Sequence, residues 1–318
     1  MLQLFTRKPS KPVLDRTFGC PQSAKLRKKF RGGDYRSVMR HMQKSQHVDQ
    51  RCFIADVLAD VTDRPLEFDS WVEAHPDCAN ARLVSGAHAL QWAWRARGYG
   101  VSDDVTDAQW HAFNERLDLA RRELEMSLEL DPDNSAAHGY LLRCCLGESA
   151  DIDLATDIYR NAMAVEPQAW VATFNYFTFL CEKWFGSHEH MFEFARTVTG
   201  HAPDGADVHA MVAYAHIEQW LYQLAFDEDE NADDYWRSDD VFDALLDSYK
   251  RWVNKEVSSP FEKVAANAFL FCFASMNARA IMQVEVERIG PYPDFTPWRY
   301  LGDPVEVYHQ IGLIARSS

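Results

Sequence analysis

LARRELEMSLELDPDNSAAHGYLLRCC (residues 119–145) and ATDIYRNAMAVEPQAWVATFNYFTFLC (residues 155–181) share one pattern, a helical run, a proline and a second helical run. Pro132 and Pro167 stand 35 residues apart, and Pro203 in HAPDGADVHAMVAYAH follows 36 later. Pro76, in AHPDCANARLVSGAHAL, opens the series upstream. Proline lacks the amide hydrogen a helix interior needs, so each marks the end of one helix before a run rich in Ala and aromatics. Ala120, Leu124 and Ser127 precede Pro132 by twelve, eight and five residues; Ala155, Tyr159 and Ala162 precede Pro167 in the same register. Small residues let two helices approach, and the large one fills the groove between them. The pattern predicts an all-α chain of repeated helix pairs.

Period and positions together resemble tetratricopeptide repeats, whose unit is about 34 residues. The resemblance implies an α-α superhelix (a TPR-like solenoid) of degenerate helix-turn-helix repeats with a C-terminal cap. Departures are clear. Gly86 fits the small position ten after the proline, whereas Leu142 and Phe177 occupy it with bulk and Ala213 closes the series. Arg64 and Met191 stand where the units before Pro76 and Pro203 should carry Ala. ALQWAWRARG (89–98), CEKWFGSHEHMFEFAR (181–196) and AHIEQWLYQLAFDED (215–229) are similar to a bacterial TPR-like domain family of unknown function, over most of 34–290. That likeness implies a fold and no activity.

Three segments follow. Residues 1–33 carry nine Lys/Arg against one acid, a basic arm of +8; the remainder holds 24 bases and 47 acids, or −23. Such an arm suits nucleic acid, an acidic partner or the chain's own acidic body. The repeat domain spans 34–290, and an aromatic, Pro-rich tail at 291–318 is expected to cap the last repeat. The 56-residue gap from Pro76 to Pro132 places an insertion at 97–110, where Thr106 signals a helix N-cap. DYRSVMRHMQ and DQRCFIADVLADV read as a first helix pair, 238–254 as a helix and 260–289 as one long helix stopped by Gly290-Pro291. No apolar run approaches the ~20 residues of a membrane span. Seven cysteines without CxxC spacing read as reduced thiols, so the expected location is cytoplasmic.

Each candidate for chemistry has a bland counterpart. His209 and His216 share a helix face with Glu218 near, yet they and His138 occupy packing positions of the repeat, so no metal site or cofactor is expected. Asp227, Asp229, Asn231 and Asp233 mimic a calcium loop, but Ala232 and Ser238 stand where Gly and Glu are required. Trp92, Trp94, Arg95 and Arg97 form an aromatic–basic helix end suited to a planar or anionic ligand, with Trp92 and Arg95 as the candidate ligand site. The tetratricopeptide resemblance implies that Arg143, Thr178, Tyr214, Gln91, Glu182, Glu218, Asn80 and Asp207, at fixed offsets from the prolines, lie on the inner wall that such an array offers a partner. The expected function is a non-catalytic scaffold holding a basic or polar protein segment. An enzyme with a His/Trp/Arg-lined site and a nucleic-acid-associated protein acting through residues 1–33 are the alternatives.

Overall fold

Thr106 accepts a hydrogen bond from the Gln109 amide (3.4 Å) while its own amide donates to Gln109 Oε1 (3.1 Å), a capping box that starts the longest helix. In the computed structural model, which describes residues 11–45, 47–60, 66–98, 100, 102–255 and 259–317, that helix runs Asp107–Leu130. Arg64, residues 1–10 of the basic arm and residues 99 and 101 of the insertion lie outside the described residues. Helix is the only regular structure among the described residues, and none of these helices is long and apolar enough to cross a membrane.

The chain divides into two compact units, one of Cys20–Phe194 and one of residues 11–19 with 195–317. The first unit comprises α1 (Pro21–Arg31), α2 (Tyr35–Gln43), α3 (Val48–Ala59), α4 (Leu66–Ala74), α5 (Ala79–Arg97), α6 (Asp107–Leu130), α7 (Ser135–Glu148), α8 (Ile152–Val165) and α9 (Trp170–Phe179). Helix α10 (His188–His201) contributes its first half here. Phe113, Leu117, Ala120, Leu124 and Ser127 form one buried stripe along α6 at helical spacing. The stripe lies along α5, which is buried all round from Asn80 to Leu90, polar Asn80, Arg82, Ser85 and His88 included. Gly86 is required at this seam: a Cβ there would sit 2.6 Å from Leu124 Cγ and 3.2 Å from the Ala120 carbonyl. Helices α3, α5, α7 and α9 neighbour one another in succession, α6 packs on α5 and α7, and α8 on α7 and α9. Ala120, Leu124, Ser127, Ala155 and Ala162 are fully buried, as their repeat positions predict. Polar bonds tie the turns down: Ser127 Oγ donates to the Ala79 carbonyl (2.9 Å), Asn134 Nδ2 to Ser127 Oγ (3.0 Å), and Ser135 Oγ to the Ala162 carbonyl (3.0 Å).

The second unit holds the end of α10, α11 (Ala210–Ala225), α12 (Asp239–Val253), α13 (Glu262–Ser275), α14 (Arg279–Ile289) and α15 (Pro304–Arg316). The single long helix expected over 260–289 is two helices, broken at Met276–Ala278, where Asn277 takes a left-handed φ of 54°. Asparagine adopts that conformation more readily than other non-glycine residues. Pro260 lies in the turn before α13. Gly290, with φ 66°, ends α14 as the sequence predicts. In the tail, Trp298 is fully buried and its Nε1 donates to Asn267 Oδ1 (2.6 Å), while α15 packs on α14.

The expected divisions at 33/34 and 290/291 both fall inside these units. Pro21–Arg31 form the α1 helix, with Leu26 and Phe30 buried within the first unit. Residues 11–19 join the second unit instead. There the Val13 amide donates to the Pro291 carbonyl (2.9 Å), Arg16 pairs with Asp294 (3.5 Å), and Lys263 Nζ donates to the Phe18 carbonyl (3.0 Å).

Candidate functional site

The C-terminal turn of α5 is held by the residue that caps α6. Gln109 Nε2 donates to the carbonyls of Ala96 (3.2 Å) and Arg97 (3.4 Å), so the first turn of α6 lies against the last of α5. Trp110 is thereby set beside Arg97. The segment after α9 turns back, with the Phe185 amide donating to the Phe179 carbonyl (3.2 Å), and brings in Trp184. The Arg97 guanidinium carbon lies 5.4 Å from the Trp110 ring, 5.8 Å from Trp94 and 5.9 Å from Trp184. Trp94 and Trp184 meet edge to face at 5.9 Å, and Phe113 buttresses Trp94 from beneath at 5.1 Å. Arg143 of α7 lays its guanidinium 4.0 Å over the Trp94 ring.

Arg97 is 8% exposed, and among the described residues it has no ion pair; its hydrogen bond runs from Nη1 to the Gly100 carbonyl (3.1 Å). Burial pushes its guanidinium below its ordinary value. The Trp94 indole nitrogen is buried with no acceptor among the described residues. Cation–π contact with an indole contributes ~0.5–2 kcal/mol, whereas an ion taken out of water without a counter-charge costs several kcal/mol. The rings soften that cost and leave the positive charge in place. The group is rich in donors and cations, and its outer rings, Trp110 and Trp184, are only half-buried.

The ligand residues expected at this helix end fall elsewhere. The face of Trp92 is covered by Arg116, 3.7 Å from the ring, and Arg95 reaches Asp60 at 3.3 Å. Trp94 and Arg97, two residues further along, face the other way and make the cluster. Their i, i+3 spacing was the readable signal. Trp110 and Trp184 carry no local signal, because they arrive from sequence-distant turns.

The expected partner-facing residues are also split between the units. Asn80 is buried and its Nδ2 donates to Gln43 Oε1 (2.9 Å), while Gln91 is half-buried. Thr178 donates to the Phe174 carbonyl (2.8 Å), and Glu182 Oε2 accepts from the His188 amide (3.0 Å), capping α10. In the second unit Asp207 is an interior group. Its carboxylate accepts from Trp252 Nε1 (2.9 Å), Lys255 Nζ (3.0 Å) and Ser259 Oγ, and burial pushes it up while Lys255 opposes the shift. Tyr214 is buried too, its hydroxyl 3.5 Å from the Val264 carbonyl, and Glu218 is half-buried.

His209 and His216 lie inside the second unit. His209 Nε2 bonds the Pro203 carbonyl (3.0 Å), and His216 Nδ1 bonds the Tyr235 hydroxyl (2.6 Å). Asp233 of the acidic run accepts from Trp220 Nε1 (3.1 Å) within a short 3-10 helix, Ala232–Arg237. Among the described residues no three His, Cys, Asp or Glu side chains stand close enough to hold a metal ion. Of the basic arm, Lys25, Lys28 and Arg31 are exposed along α1. Family models, curated proteins and solved structures give no match to this chain.

Proposed function

We propose that this protein is a non-catalytic binding scaffold built as a TPR-like α-α superhelix. The observation that carries the reading is the succession α3, α5, α7, α9: each of these helices neighbours the next, and α6 and α8 fill in behind. Stacking of alternate helices presents one continuous, stiff wall from the first helix of each pair, which costs little ordering when a partner binds. Fully buried Ala120, Leu124, Ser127, Ala155 and Ala162 at the family's packing positions support the same reading. All seven cysteines are free thiols, which supports a reducing compartment such as the cytoplasm.

The wall would hold a polar or basic protein segment along Gln91, Arg143 and Thr178. Glu182 is a poor probe of it, because its carboxylate also caps α10. Gln91→Arg combined with Thr178→Arg changes the charge of the wall without touching a cap. Quantified capture of a partner from source lysate should fall roughly tenfold or more in the double variant, with circular dichroism unchanged. Equal capture by the two proteins would remove this wall from the reading.

A further inference from the structure

Arg97 differs from Arg82, the other arginine that is buried among the described residues. Arg82 is equally enclosed, but its Nη1 meets both carboxylate oxygens of Glu123, at 3.0 and 3.2 Å. Arg97 meets one neutral carbonyl and three indole rings, with no acid bonded to it among the described residues. A second guanidinium, Arg143, stacks on one of the same rings. The Arg97 charge is thus held out of water with no bonded carboxylate among the described residues, which makes it costly to keep. A guanidinium fork accepts an oxyanion through paired N–H donors, and indole faces accept a flat ring. Trp110 and Trp184 are only half-buried, so part of each ring is exposed.

We infer that Arg97, Arg143, Trp94, Trp110 and Trp184 form a binding site for a planar organic anion, an aromatic ring system bearing a carboxylate or a phosphate. Arg97 receives the oxyanion. Trp110 and Trp184 stack the ring. Arg143, packed on Trp94, adds the second positive charge and fixes that indole. All five residues belong to the unit Cys20–Phe194. The site shares Arg143 with the proposed wall, whereas Arg97 and the three indoles are not part of that wall, so loss of anion binding in Arg97→Gln and loss of partner capture in the Gln91/Thr178 double variant are separate outcomes.

Two matched probe pairs test it on the full chain by calorimetry: adenosine monophosphate against adenosine, and 2-naphthoate against 2-naphthamide. At least one anion should bind, its neutral counterpart roughly tenfold or more weaker, and its affinity should fall with added salt. The arm that binds tells phosphate from carboxylate. Arg97→Gln should weaken the same anion roughly tenfold or more and abolish the rise in Tm that the anion gives the native protein. Equal affinity for charged and neutral probes, undiminished binding by Arg97→Gln, or no anion binding at millimolar concentration would each overturn the assignment. If Arg97→Gln loses its helical circular dichroism, Arg143→Gln decides: weaker anion binding is expected, and unchanged affinity rejects the site.

Discussion

His216 shows how far a titratable side chain can be moved by packing alone. Its ring is 7% exposed and bonded to the Tyr235 hydroxyl, and burial pushes its pKa down to about 4. The native state therefore binds fewer protons than the unfolded chain between pH 6.5 and 4. The resulting stability is fully present above 6.5 and is lost as pH falls through that window. A shift of this size corresponds to about 3 kcal/mol. Urea titrations at pH 7 and pH 4.5 should show a smaller loss for His216→Gln than for the native chain. An equal loss would place the acid sensitivity elsewhere. His138 and His209, both lowered chiefly by burial, act in the same sense. Repeat register had put all three on packing positions, so the interior character of His209 and His216 was legible. The burial of Asp207 and Tyr214 was not. A residue at a wall position of one repeat becomes interior when neighbouring segments close over it, and here Trp252, Lys255 and Ser259 come from 45 to 52 residues away.

Between elements, the seam of α5 and α6 carries both a steric and an electrostatic condition. Gly86 admits Leu124, and Arg82 pairs with Glu123 behind a largely dry surface. Removing one charge strands the other, at a cost of ~3–5 kcal/mol, while replacing both by apolar groups is often neutral. Arg82→Met should thus lower the urea midpoint sharply, and adding Glu123→Leu should recover most of the loss. A double variant as unstable as the single one would mean the pair itself holds the two helices. The seam was partly readable: Gly86, Ala120 and Leu124 stand at the small and large positions of the repeat pattern. The break at Asn277 was not, because residues 260–289 keep an unbroken helical pattern and lack a proline or glycine at the turn. Trp94 and Arg97 were readable as a face of α5. Their partners Trp110 and Trp184 depend on how turns return, which local periodicity does not encode.

Across the whole molecule, charge misled the division of the chain. Nine bases in 33 residues look like one arm, yet Leu26 and Phe30, four apart, give α1 a buried side, and residues 11–19 belong to the other unit. Deleting residues 1–19 should destabilise the second unit alone. It removes the cation beside buried Asp294 and the bonds to Pro291 and Lys263. Hydrogen exchange should then rise over α13 to α15 and stay unchanged over α5 to α7. Equal exchange throughout would show that these residues add nothing to the unit.

The same discontinuity imposes an order on synthesis. Cys20–Phe194 is continuous and can complete itself while the ribosome is still working downstream. The carbonyl of Pro291 and the carboxylate of Asp294 are each made 278 residues after their partners Val13 and Arg16. At ~5–20 residues per second the wait is roughly 15–50 s. Throughout it Arg16 is without the carboxylate that later pairs with it.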